Sequence, residues 1–105
     1  MRGVMMSLET DIYQKIEHDF GADTPSAIAL LEEIDAKTKG LIGNRMLRAM
    51  VFLADGDLDR FRDVIELGRV DYRDVLWQAE YDCGEVRKFD FEKSFHQLGL
   101  IERDT

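Results

Sequence analysis

The chain has 105 residues, and its 22 Asp plus Glu against 14 Lys plus Arg give a formal net charge of -8. The single cysteine, Cys83, removes the disulfide-scaffold class and fits a reducing cytosol, and 45% apolar residues exclude wholesale disorder. The acidic balance argues against broad electrostatic binding to nucleic acid or anionic membrane, and no apolar run reaches the length of a signal-peptide core or a membrane span.

The hydropathy pattern predicts one all-α domain over residues 7–101, with tails at 1–6 and 102–105. Ser7 stands where it would cap a first helix, in which Leu8, Ile12, Ile16 and Phe20 recur every four residues before Gly21. Thr24 followed by Pro25 opens a second, the hydroxyl as cap and the proline where its missing N–H is no loss. Its stripe is Ile28, Leu31 and Ile34, and it ends near Lys39 and Gly40. Residues 49–54 are all apolar, which predicts a central buried helix over 44–55 stopped by Gly56. Asp57 then caps a fourth helix through Leu58, Phe61, Val64, Ile65 and Gly68. Asp71 caps a fifth with Tyr72, Val75, Leu76 and Ala79 on its apolar face. A last short helix is expected over 90–98, carrying Phe91, Phe95 and Leu98 and closed by Gly99. Short linkers make consecutive helices antiparallel neighbours. The expected product is a compact bundle or stack of about five to six short antiparallel helices, with a HEAT-like arrangement of helical hairpins as one form.

Charge is unevenly distributed. Residues 36–50 hold no acid and four bases, Lys37, Lys39, Arg45 and Arg48, within an otherwise acidic chain. With Asn44 these residues span a glycine-bearing loop that opens onto a helix, where free N–H groups and the helix dipole favour an anion. The same residues have an ordinary use, with Lys37 and Lys39 complementing a helix C-terminus and the arginines neutralising acids of the first two helices. No Gly-Lys-Ser/Thr ending marks a nucleotide-binding P-loop. The apolar Leu41 and Ile42 between Gly40 and Gly43 do not suit a phosphate-clamping loop of the KH type.

Counting from Asp55, acids fall at the calcium-loop positions occupied by Asp57, Asp59, Asp63 and Glu66. Arg60 replaces the turn glycine, and the helical stripe from Leu58 to Ile65 runs through the supposed loop, so a helix stop followed by an Asp cap is the expected structure. His18, His96 and Cys83 lack metal-ligand spacing, and the acids around Cys83 disfavour a thiolate. No metal, no cofactor and no catalytic residue is expected, because no nucleophile–base pair or cofactor loop is visible. Glu80 stands inside an apolar stretch and calls for a partner such as Arg73 or Arg87.

The sequence therefore favours a small acidic cytoplasmic interaction module, in the manner of an inhibitor, an immunity-like protein or an adaptor. It would bind a basic protein partner through acidic helical faces that include Asp57, Asp59, Asp63 and Asp74, with Trp77 and Tyr81 as aromatic anchors. The alternative is an accessory domain that binds an anion or nucleotide through Lys37, Lys39, Asn44, Arg45 and Arg48. Self-association is a further expectation, as a way to cover the all-apolar helix.

Overall fold

The four-residue stripe Ile12, Ile16 and Phe20 is buried along one face of the first helix, with Leu8 buried just before it. This is helical periodicity selecting the face that meets the core. Residues 8–101 are described by the computed structural model, and the expected tails and the Ser7 cap lie outside them. Helix α1 (Thr10–Phe20) passes through one 3-10 turn, Gly21–Asp23, into α2 (Thr24–Lys37). Across this hairpin the Tyr13 hydroxyl donates to Glu32 at 3.1 Å. Helices α3 (Asn44–Ala54), α4 (Leu58–Val70) and α5 (Tyr72–Tyr81) follow, and among the described residues there is no strand. The result is a compact all-helical domain with a radius of gyration of 13.1 Å.

Helix α3 occupies the centre, packed against α1, α4 and α5, while α2 lies on α1 and α4. Residues 46–51 of α3 are all buried, and Ala54 is too. Most of the apolar run is thus covered within the chain itself, with Phe52 and Leu53 half-buried. The turn after α3 depends on Gly56. Its φ is 80°, and a Cβ there would stand 2.4 Å from the Asp19 carbonyl oxygen, so only glycine lets this turn press against the end of α1. Asp57 then caps α4, accepting from the backbone N–H of Asp59 at 2.9 Å and of Arg60 at 3.2 Å.

Other local expectations fail for identifiable reasons. Thr24 lies inside α2, with Asp23 at the cap position and no side-chain cap bond, although Pro25 does occupy the first turn. Asp71 does hold the cap position of α5, but it makes no side-chain cap bond. The helix expected over 90–98 does not form, and residues 82–101 are a strap of turns and irregular backbone. Phe91 and Phe95 still reach the core at 0% exposure. Their backbone groups are satisfied from elsewhere: Arg48 donates to the Phe91 carbonyl, Glu80 accepts from the Phe91 N–H, and Asp11 accepts from the Phe95 N–H. Helical bonds are dispensable where distant side chains supply the partners.

Candidate functional site

The basic island separates into two parts. Arg48 is 2% exposed and grips Asp11 through two bonds, Nε to Oδ2 and Nη2 to Oδ1, both 3.0 Å. It also contacts Glu9 and donates through Nη1 to the Phe91 carbonyl at 3.0 Å. Burial alone would lower its pKa, but the hydrogen bonds and charges of Asp11 and Glu9 outweigh that and raise it. Arg45 pairs in the same bidentate way with Glu80, at 3.0 Å and 2.7 Å. Both guanidiniums are therefore occupied by carboxylates of this chain and do not converge on a shared external anion. Asn44, at the start of α3, keeps its Oδ1 buried without a hydrogen-bond partner.

Glu80 is the hub of the second cluster. It is fully buried and accepts from Arg45, from Arg87 at 3.1 Å and from the Phe91 N–H at 3.0 Å. Burial pushes its carboxyl up, but the two arginines and the backbone N–H together hold it below the ordinary carboxylate range. Of the two partners expected from sequence, Arg87 is present and Arg73 makes no bond to Glu80; Arg45 is the larger contributor and lies 35 residues away. Together the two clusters fasten the strap to α1, α3 and α5.

Lys37 and Lys39 have a different setting. Helix α2 ends where the Thr38 hydroxyl donates to the Ile34 carbonyl at 3.0 Å, and Lys39 follows in the left-handed region at φ 55°. This places both lysines on the rim of a cleft of about 640 Å³ between the end of α2, the start of α3 and the junction of α4 with α5. Its floor is Ile34, Ile42, Met46 and Met50, and Leu41 and Tyr72 stand at its mouth, 86% and 57% exposed. Arg69 is the third cation on the rim, and no carboxylate lines this cleft. A second depression of about 370 Å³ adjoins it along α2 and α4, sharing Ile34, Lys37 and Arg69. No sequence signal marked this groove, because Leu41, Arg69 and Tyr72 meet only in the folded chain.

The acidic and aromatic candidates are spread along α4 and α5. Asp57 is the cap of α4, Asp59 is exposed and pairs with Arg62 at 3.2 Å, and Asp63 is exposed one turn further on. Asp74 is half-buried and accepts from Gln78 at 3.1 Å. Trp77 is 46% exposed, with its indole N–H donating to the Gly84 carbonyl at 3.0 Å, and Tyr81 is half-buried. Asp57 and the helix through Leu58 account for the calcium-like spacing, and no group of metal-competent side chains occurs among the described residues. No described helix is long and apolar enough to cross a membrane. No family model, curated protein or solved structure matches this chain.

Proposed function

We propose that this chain is a protein-interaction module of the inhibitor or adaptor type, acting by binding and not by catalysis. One observation carries the reading: Leu41, Val70, Tyr72, Trp77 and Val86 remain exposed on a highly charged protein. Its most elaborate polar clusters, around Arg48 and Glu80, are meanwhile consumed in holding the fold. Exposed apolar side chains that gather at one place, as Leu41 and Tyr72 do around their cleft, mark contact surface for a partner. The reading keeps Trp77 as an anchor, with Tyr81 beside it and Asp59, Asp63 and Asp74 supplying a field that steers a basic protein. A cytoplasmic setting belongs to the same proposal, as does an arrangement of the helices as stacked hairpins. The anion-binding alternative is weaker, since Arg45 and Arg48 are engaged by Glu80 and Asp11, leaving Lys37 and Lys39 with Arg69, which is itself paired with Glu66.

The test is capture from a lysate of the protein's own source at low ionic strength, using the wild type and a Trp77→Ser, Asp63→Asn variant side by side. A basic protein held by the wild type, released by raised salt and lost from the variant is the expected result. Retention of nothing at low salt, or of the same proteins by both, overturns the proposal.

A further inference from the structure

We propose that the groove between α2 and α4 docks an amphipathic helix from another protein. The apolar face of that helix fills the groove, and its acidic residues pair with Lys37, Lys39 and Arg69. The inference rests on the interaction-module reading but assigns a different surface and the opposite partner charge.

Charge complementarity carries the assignment. The chain has 22 acids, yet none lines the larger cleft, while three cations do; the smaller depression adds Glu33 and Glu66, each already paired with one of those cations. Lys37 and Arg69 have intrahelical partners, Glu33 at 3.3 Å and Glu66 at 2.9 Å, both on exposed surface. Exposed pairs of this kind exchange partners at little cost. Lys39 makes no ion pair among the described residues and sits on the rim in a left-handed backbone conformation that favours glycine. Its charge complements the C-terminal end of α2, and a carboxylate arriving over the cleft would give it an ion pair as well.

Shape argues for a helix over a small anion. The two depressions share Ile34, Lys37 and Arg69 in their linings, and their apolar lining residues run from Leu30 and Ile65 on one side to Leu41 and Tyr72 on the other. Side chains at i, i+3, i+4 and i+7 of a docked helix would fill such a trough, the common mode for apolar grooves. A small amphiphile would occupy the larger cleft and leave the smaller one uncovered. Gly68 contributes to the width: it lines the cleft, and a Cβ there would meet the Met50 methyl at 2.4 Å.

The electrostatics give this site its own signature. An acidic helix approaches against a net charge of -8, yet is held by local pairs. Salt screens the long-range repulsion as well as the short-range attraction, so affinity should change little with ionic strength. Binding of a basic partner to the acidic faces should fall steadily with salt.

The experiment is a selection from a displayed library of amphipathic helices about four turns long, with apolar spacing fixed and the flanking charges randomised, against the full chain. Enriched helices should carry more Asp and Glu than Lys and Arg, and should perturb the amides of residues 30–42 and 65–72. They should bind Lys39→Glu and Leu41→Asp variants about tenfold or more weakly. Both substitutions are at exposed positions, and an unchanged circular dichroism melt confirms that they fold. Enrichment of basic or neutral helices, binders insensitive to both variants, or no enrichment at all overturns the docking inference. So does a dimer in solution that buries Leu41, since the occupant would then be a second copy. Binders that map to Trp77 on α5 sink this inference while leaving the interaction-module reading intact.

Discussion

Replacing Glu80 by glutamine keeps the side-chain shape and removes the charge on which two arginines and the strap converge. In the wild type Oε2 accepts from Arg45 Nε, Arg87 Nη2 and the Phe91 N–H, and Oε1 accepts from Arg45 Nη2 at 2.7 Å. Glutamine can present its oxygen to the first three donors, but its NH2 then faces Arg45 Nη2, donor against donor. Removing one partner of a buried pair costs about 3–5 kcal/mol. The side chains of Arg45 and Arg87 are 40% and 34% exposed, so water recovers part of this. The expected loss for Glu80→Gln is about 2–3 kcal/mol. Glu80→Ala also abandons the buried Phe91 N–H, which adds about 1–3 kcal/mol. Urea unfolding followed by Trp77 fluorescence measures both, because the indole N–H is bonded to Gly84 at the base of the strap. The pH dependence supplies a second check. Glu80 is held below its unfolded pKa, so its contribution is complete above that value, about 4.3, and is lost as pH falls through the folded one. The gap between wild type and Glu80→Gln should therefore be largest near neutrality and close in acid. A loss below about 0.5 kcal/mol, or a gap that does not narrow on acidification, refutes the assignment of Glu80 as an ionised clamp.

Three further outcomes are expected. Gly56→Ala should destabilise by about 2 kcal/mol or more, because the new Cβ meets the backbone oxygen of Asp19 and must adopt a positive φ; denaturant midpoints measure it. Asp57→Ala removes the cap of α4 and should cost about 1 kcal/mol in the same assay, with Asp57→Ser recovering most of it. The Tyr13 hydroxyl, desolvated and bonded to Glu32, has its pKa pushed up to about 12. In an ultraviolet titration its phenol should ionise above the ordinary tyrosine value of about 10, and Glu32→Gln should bring it down. Since the neutral form is the one stabilised, this contribution is complete below the unfolded value of about 10 and disappears as pH rises through the folded one.

The sequence made the helical stripes legible wherever burial has a single face. Ile12 and Ile16, Leu31 and Ile34, and Phe61 and Val64 all point inward as their spacing requires. Gly56 and Asp57 were equally readable, because stop and cap chemistry acts over a few residues. The i, i+4 spacing of Phe91 and Phe95 misled for a physical reason. It specifies which side chains go inward, but not whether the intervening backbone bonds to itself or to remote arginine and carboxylate groups. The basic island was visible as a charge anomaly, yet the acids that use Arg45 and Arg48 lie 35 and 37 residues distant. Lys37 and Lys39 stand exposed at the C-terminal end of α2, where their position in the sequence already put them. The groove itself was invisible, since its floor and rim come from segments with no shared periodicity.

The clamped strap also fixes when the fold can be completed. The Phe95 N–H finds its acceptor on Asp11, 84 positions earlier, and Arg48 reaches a carbonyl 43 positions later. Helices α1 to α5 can form by local contacts as the chain leaves the ribosome. Until Phe91 and Phe95 follow, the growing chain exposes the apolar seat of two phenylalanines, and Arg48 and Glu80 lack their backbone partners. Closure over such separations is slow compared with the pairing of adjacent helices. The strap, which follows the helices it closes over, is thus the part that draws the helical assembly into a single state.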